Sequence, residues 1–166
     1  MILQKETIFK KDLANKKINV KREFEAPVEQ VWKAWTESQL LDQWWAPKPW
    51  KAHTQSMDFR DGGTWLYYME GPEGERHYCR ADYKSIIPNK SYEGLDAFCD
   101  EKGNINTGFP RMYWKVNFSK TSAGTMVETE ITFDSLADLE KIVEMGFQEG
   151  FTAAHGNLDM LLAEDK

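Results

Sequence analysis

Two polar side chains are candidates for chemistry because the sequence pattern places them among apolar residues. His155 follows Phe151 by four positions and precedes Leu158 by three, so helical spacing puts its imidazole on an apolar helix face. A buried neutral imidazole needs a hydrogen bond, which either a ligand or a protein group can supply. Asp96 lies in a predicted strand. Facing inward it is a candidate general base with a raised pKa, and an outward orientation explains the pattern equally well.

A second polar pair, His77 and Cys79, lies two residues apart in another predicted strand. A structural zinc site normally takes four ligands, so this pair by itself does not predict a metal site. His77 also lies near the end of a predicted hairpin, where simple exposure explains it. We therefore expect neither a metal nor a cofactor.

The motifs of the common catalytic classes are absent from the sequence. It contains no G-x-S-x-G elbow, no H-E-x-x-H helix, no phosphate-binding loop and no dinucleotide-binding glycine motif. An enzyme of the cyclase or isomerase type stays open, since it needs only a positioned acid, a base and a cavity. The side chains that could serve it are His155, Asp96, Tyr67 and Tyr83. Their spacing does not require catalysis, so no catalytic residue is assigned.

Aromatic residues and methionine are abundant for a chain of this length. The 166 residues include seven Trp, nine Phe, six Tyr and seven Met. Such side chains carry large apolar area and can line a cavity as readily as fill one. Composition therefore favours a small hydrophobic molecule as the binding partner.

Charge and hydropathy exclude two other classes of partner. The formal net charge is -6, and the basic pairs at 10–11 and 16–17 are isolated, so no nucleic-acid partner is expected. No apolar run approaches the ~18 residues of a membrane span.

Because no secretory signal is recognisable, we expect a cytoplasmic protein with Cys79 and Cys99 reduced. A single disulfide in a secreted form is the alternative.

The order of the predicted elements indicates the fold class. Alternating residues from Ile18 to Phe24 predict a strand, and apolar residues at 28, 31, 32 and 35 predict a helix that starts at Pro27. Ser38 is the expected cap of a second short helix. Between Trp50 and residue 133, turn residues separate about six further strands, and short connections make neighbours antiparallel.

The C-terminal part of the chain predicts two helices separated by a break at Gly146. Ser135 and Asp138 form a capping box for the first helix. The second helix, of about five turns, carries an apolar stripe that includes His155. In an α+β fold of this order, a curved sheet wraps around the last helix, and side chains enclose a hollow where helix and sheet diverge.

These residues resemble a known family over most of the chain, from about Lys17 to Leu162. The motifs that carry the resemblance are REFEAP (22–27), VWKAWT (31–36), Leu41, WWAP (44–47), DFRDGG (58–63) and GPEG (71–74). They are similar to the bacterial homologues of the activator of the ninety-kilodalton heat-shock protein ATPase, in the START-like or SRPBCC superfamily.

The resemblance implies a helix-grip fold of the START/Bet v 1-like kind. Such a fold has a curved antiparallel sheet of about seven strands around a long C-terminal helix, with two short helices after the first strand. We expect an N-terminal arm at 1–15 and a single START-like ligand-binding domain at 16–166. Members of this superfamily differ widely in activity, so function has to be argued from the site.

Strand parity and helical spacing assign the ligand-binding residues, which are expected to face a cavity between the sheet and the last helix. They are Trp65, Tyr67, Met69, His77, Cys79, Asp96, Met112, Trp114, Phe147, Phe151, His155 and Leu158. In this interpretation His155 orients the polar end of the ligand. The cluster Trp44–Trp50 either forms a lip at the entrance or packs the second short helix onto the sheet.

Three hypotheses for function follow. The first is binding of a small hydrophobic ligand, the second is a cyclase or isomerase that uses the same cavity, and the third, implied by the resemblance, is a chaperone-associated interaction module. The strands that begin at Ile18 and Lys51 are expected edges of the sheet that could pair between copies, so the chain is expected to be a monomer or a homodimer. The arm could cover such an edge.

Overall fold

An eight-stranded antiparallel sheet curves around one long helix in the computed structural model, which describes residues 6–164. The strand order across the sheet is β1-β2-β8-β7-β6-β5-β4-β3. In chain order the elements are β1 (Ile8–Asp12), β2 (Lys17–Phe24), α1 (Val28–Thr36), α2 (Ser38–Trp44), β3 (Lys51–Met57), β4 (Thr64–Glu70), β5 (Arg76–Ile87), β6 (Ser91–Cys99), β7 (Met112–Lys120), β8 (Thr125–Phe133), α3 (Leu136–Glu144) and α4 (Phe147–Glu164). This order is the helix-grip fold that the sequence predicts.

Alternation along the strands builds the concave face of the sheet. In β7, the buried residues Met112, Trp114, Val116 and Phe118 alternate with residues that are partly or fully exposed. Strand β8 shows the same period of two, with every second residue from Thr125 to Phe133 buried. Because successive side chains of a strand point to opposite faces, the apolar set covers the face that packs against the helices.

Trp35 of α1 lies at the centre of the core between the helices and the sheet. Its ring centroid is 4.9 Å from that of Trp44 in α2, 5.9 Å from Phe118 in β7 and 6.2 Å from Phe151 in α4. The indole Nε1 of Trp44 donates to the backbone oxygen of Ala34 at 2.8 Å, so this buried polar group is paired. Edge-to-face aromatic contacts therefore join three helices to the sheet.

The C-terminal half of α4 is fixed to the rest of the fold by polar contacts. The guanidinium of Arg22 in β2, which is only 3% exposed, donates to the carboxylate of Asp159. The side-chain amide of Asn157 donates to the backbone oxygens of Trp44 and Ala46, at 3.4 and 3.0 Å. Among residues 6–164, no helix combines the length and the apolar character that crossing a bilayer demands.

The N-terminal arm contributes a strand, so the sheet has eight strands instead of about seven. Strand β1 pairs with β2, and β2 is therefore not the edge that the sequence suggested, whereas β3 is an edge. The ring of Phe9 in β1 packs against the rings of Phe147 and Phe151, with distances between ring centroids of 6.2 and 6.5 Å. The sequence signal was weak because an exposed edge strand needs few apolar residues. Residues 1–5 of the expected arm and residues 165–166 lie outside the described part of the chain.

The sequence predicts the helix boundaries around α3 and α4 correctly, whereas the predicted starts of α1 and α2 differ from those in the structure. The Ser135 hydroxyl accepts from the backbone N–H of Asp138 at 3.1 Å, and Gly146 separates α3 from α4 with φ +89°, as predicted. The prediction for Ser38 is wrong: α2 begins at Ser38, and the preceding residue occupies the cap position without a side-chain hydrogen bond. Pro27 likewise precedes the first residue of α1.

We expect Asp159→Ala to lower the free energy of unfolding by about 3 kcal/mol, because it leaves the buried Arg22 guanidinium without its counter-ion. Urea denaturation measures the change. The control is Asp134→Ala, which removes an ion pair to Arg111 between exposed side chains 3.5 Å apart and is expected to cost less than about 1 kcal/mol. Equal losses in the two variants would contradict this prediction.

Candidate functional site

A cavity of about 380 Å³ lies between the concave face of the sheet and the N-terminal half of α4. The residues that line it are Trp45, Pro47, Trp50, Tyr67, Met69, His77, Cys79, Asp96, Phe98, Met112, Trp114, Ile142, Met145, Gly146, Phe147, Gly150 and Phe151. Its mouth (Trp50, His77 and Met145) includes the most exposed of these side chains, with Met145 48% exposed. The inner walls are mostly aromatic.

Strand register brings the sheet side of the cavity together. Tyr67 of β4 pairs with Cys79 of β5, which pairs in turn with Phe98 of β6. Two residues before Phe98 in β6, Asp96 pairs with Met112 of β7. Directly opposed residues share a face, so these side chains form one continuous wall.

The tryptophan cluster divides between the core and the cavity, so each of its two predicted roles holds for part of it. Trp44 is fully buried against Trp35. Trp45 lines the cavity, and its indole Nε1 donates to the Tyr67 hydroxyl at 3.0 Å. Trp50 lies at the mouth, with its ring 5.2 Å from that of His77. Because Asn157 holds the backbone on both sides of Trp45, helix α4 positions this wall.

Most of the residues predicted for the site line the cavity. These are Tyr67, Met69, His77, Cys79, Asp96, Met112, Trp114, Phe147 and Phe151. Trp65 lies in a small side chamber of about 30 Å³, which shares Trp45, Asp96 and Trp114 with the cavity. His155 and Leu158, which helical spacing grouped with these residues, are not among those lining either space.

His155 is a core residue with a protein partner. Its Nδ1 and the Thr7 hydroxyl are hydrogen-bonded at 2.9 Å, and its ring lies 5.6 Å from Phe24 and 4.2 Å from Phe151. Burial, together with the charge of Arg22, lowers its pKa to about 3. The imidazole is therefore neutral at physiological pH, has a protein group as its hydrogen-bond partner and does not line the cavity, and its role in orienting a ligand stays a prediction.

Several lining residues were missed by the sequence prediction of the site. They are Trp45, Pro47, Trp50, Phe98, Ile142, Met145, Gly146 and Gly150. A signal existed for Phe98, which shares strand parity with Asp96, and for the Trp45 cluster. No signal existed for Gly150, because a residue without a side chain leaves no mark on an apolar pattern.

Asp96 is the polar centre of the inner wall. No hydrogen bond or ion pair to its carboxyl group is present among residues 6–164, and burial, with a smaller contribution from Asp82, raises its pKa to about 8. Burial also raises the pKa of Tyr67 and of Cys79 beside it. The indole nitrogen of Trp114 on the same wall has no partner among the described residues. At neutral pH Asp96, Tyr67 and Cys79 are therefore mainly protonated.

This arrangement limits the chemistry that the cavity can perform. A cyclase or isomerase would have to rely on Asp96 with Tyr67 beside it, because His155 lies elsewhere. Within the described residues, no three His, Cys, Asp or Glu side chains are grouped as metal ligands. The arrangement is therefore that of a mostly apolar cavity in which Asp96 is the one carboxyl group among the described lining residues.

The two cysteines are free and lie on opposite faces of the sheet. Cys79 pairs with Phe98 across β5 and β6, whereas Cys99 pairs with Tyr78. Since adjacent residues of a strand point in opposite directions, the two sulfur atoms cannot meet without movement of the backbone. A disulfide between Cys79 and Cys99, the alternative left open by the sequence, is excluded in this fold.

Comparison with known proteins gives one family and many similar structures. The family model described as Activator of Hsp90 ATPase homolog 1-like protein matches residues 25–163. Protein Ms6760 from Mycobacterium smegmatis is 30% identical, with a TM-score of 0.88 over 95% of this chain and 96% of that chain. A protein from Arthrobacter aurescens is 29% identical, with a TM-score of 0.89 over 95% and 91%. No curated protein matches the chain.

A third structure extends the comparison to lower identity. Protein NE0264 from Nitrosomonas europaea is 26% identical, with a TM-score of 0.79 over 92% of this chain and 97% of that chain. Each of the three structures is covered almost completely by the chain, so the similarity concerns the whole fold, including the elements that enclose the cavity.

We expect Asp96→Asn to change how stability depends on pH. The folded protein holds the Asp96 proton up to about pH 8, whereas the unfolded chain loses it near the ordinary aspartate pKa of 3.8. The folded state thus binds more protons in this interval, and the free energy of unfolding falls as pH rises through it, by at most about 1.4 kcal/mol per unit. The variant lacks this fall, so its stability relative to wild type increases from acid to alkaline pH.

Urea denaturation at a series of pH values checks this prediction. Asp134→Asn, at an exposed position, is the matched control and is expected to follow the wild-type curve. A difference between Asp96→Asn and wild type that stays constant across about pH 5 to 9 would show that Asp96 ionises normally.

Proposed function

We propose that this chain, which belongs to the Activator of Hsp90 ATPase homolog 1-like family by a match over residues 25–163, has a ligand-binding function. The cavity between the sheet and α4 takes a small hydrophobic molecule. The observation that carries this proposal is a cavity of about 380 Å³ that opens at its mouth and has mostly apolar walls. Concave apolar sites of this kind are the ones that small ligands prefer.

The size and walls of the cavity support a ligand of this class. Small-molecule sites commonly have volumes of about 300–1,000 Å³ and apolar walls with few polar groups. Here Trp45, Trp114, Phe147 and Phe151 contribute aromatic wall, and Asp96 is the inner polar group. Moving an apolar molecule from water into such a space is favourable because apolar surface is removed from water on both sides.

Native mass spectrometry of protein purified from its own host tests the proposal directly. A co-purifying mass would identify the chemical class of the ligand. A thermal-shift screen with a diverse set of apolar compounds is the complement, because a ligand that binds the folded state raises the melting temperature. The proposal fails if no mass co-purifies and no apolar compound stabilises the protein.

We expect Gly150→Leu to weaken binding of the neutral fluorescent probe N-phenyl-1-naphthylamine by at least about tenfold. Gly150 lines the cavity, and a Cβ there lies 3.7 Å from Cγ of Pro47, so a larger side chain has to occupy ligand space. The matched control is Gly156→Leu on the same helix, where a Cβ meets no atom within 4 Å. Fluorescence titration gives both affinities.

The two substitutions gain the same helix propensity, so a difference between them reports on the cavity. Equal probe binding by Gly150→Leu and Gly156→Leu would place the probe outside the cavity. Melting temperatures of both variants confirm that they are folded.

A second candidate function is contact with a chaperone of the Hsp90 type, which the family description favours. We expect the immobilised protein to retain the Hsp90-type chaperone of the same organism in a pull-down with purified components. Retention should persist in Gly150→Leu, because a chaperone contact uses the outer surface and not the cavity. Failure to retain the chaperone, with and without nucleotide, would contradict this function.

We also propose that the protein acts in the cytoplasm as a monomer or a homodimer. The free thiols of Cys79 and Cys99 support a reducing compartment. The free edge of β3 supports the dimer, because an unpaired strand edge can pair with a second copy.

A further inference from the structure

We propose that the cavity selects organic amines: molecules with an apolar body and a cationic amino group that pairs with Asp96. This inference rests on the proposed ligand-binding function and specifies the chemistry of the ligand. It is carried by the charges along the walls, by the unpaired carboxyl group and by the aromatic rings around that group.

The distribution of charge along the inner walls disfavours anionic ligands. Among the described residues that line the cavity and the side chamber, Asp96 has the one carboxyl group, and no Lys or Arg is present. A carboxylate or phosphate group on a ligand would therefore lose its water without gaining a cationic partner. A cationic group would instead meet the Asp96 carboxyl group, whose ionised form a nearby positive charge favours.

The surroundings of Asp96 leave it without compensation from the protein. The nearest charged neighbour that acts on it is Asp82, on the other face of the sheet, and this is a second negative charge. Arg80 does not neutralise Asp96, because its guanidinium donates to Asp82 at 2.6 and 3.0 Å and to the backbone oxygen of Gly103 at 2.7 Å. An ionised Asp96 therefore has no cation of the protein beside it, and a bound cation would supply one.

Aromatic rings line the side chamber to which Asp96 contributes. The side chamber next to Asp96 is lined by Trp45, Trp65, Tyr83, Tyr92 and Trp114, together with Ala81 and Gly94. Aromatic rings attract organic cations through their quadrupole, most strongly when water is excluded. A carboxylate and several aromatic rings at the inner end of an apolar cavity form a suitable environment for an amino or methylated ammonium group.

Three probes with the same phenylbutyl skeleton test the inference: 4-phenylbutylamine, 4-phenylbutanol and 4-phenylbutyrate. Each is titrated against N-phenyl-1-naphthylamine in a displacement assay. At about pH 8 we expect the amine to bind at least tenfold more tightly than the alcohol, and the carboxylate to bind most weakly. Asp96→Asn should reduce the affinity for the amine to about that for the alcohol, so that the preference for the amine is lost.

The advantage of the amine over the alcohol should also increase from about pH 6 to pH 9, as Asp96 loses its proton. The titratable groups that act electrostatically with Asp96 are Tyr67, Cys79, Asp82, Tyr83, Tyr92 and Cys99. Across the cavity, the lining residues of α3 and α4 and of the segment after α2 include no titratable side chain, and His77 lies at the mouth. Asp96→Asn, which should bind the amine with little dependence on pH in this range, separates Asp96 from these groups.

The outcomes distinguish failure of the ligand-binding function from failure of the selection for amines. If the naphthylamine probe and all three phenylbutyl compounds fail to bind, the ligand-binding function itself is wrong. If the alcohol or the carboxylate binds as tightly as the amine, the cavity binds apolar molecules but does not select amines. The same conclusion follows if Asp96→Asn keeps the preference for the amine, and a neutral ligand that accepts from protonated Asp96 and from Trp114 is then favoured.

Discussion

The pairing of Arg22 with Asp159 is the constraint on which the arrangement of the other elements depends. It ties the C-terminal half of α4 to β2, and the amide of Asn157 ties the same half to the end of α2. The N-terminal half, by contrast, borders the cavity through Phe147, Gly150 and Phe151. A buried ion pair contributes little net stability in general, but it strongly disfavours other positions of its partners. In this fold that specificity fixes the helix that forms one wall of the cavity.

The walls of the cavity combine rigidity with empty space. Aromatic rings contact one another around it, as in the stacked pairs Trp65–Tyr67 and Phe147–Phe151. Large planar side chains that support each other can keep a space open, whereas flexible aliphatic side chains would tend to fill it. The packed core around Trp35, which contacts the cavity residues Trp45 and Phe151, supports these walls from behind.

Much of the fold follows from the sequence because its signals are local. Strand alternation, the turn residues, the Ser135 cap and Gly146 each act within a few residues, and they correctly predict most elements and most of the concave face. The partner of His155 could not be predicted in this way, because Thr7 lies 148 positions away. Strand β1 was missed because edge strands have weak patterns, and Gly150 because it contributes only space.

Strands β1 and β2 both precede the region that the family model matches, and this has a practical consequence for the choice of domain boundaries. A protein shortened to residues 25–163 would lack both strands and Arg22, so β8 would become a bare edge and Asp159 would have no cation to meet. Such an edge invites aggregation. Shortened versions should therefore keep the chain from Thr7 onward, and poor solubility of a tighter version would reflect the cut rather than the native protein.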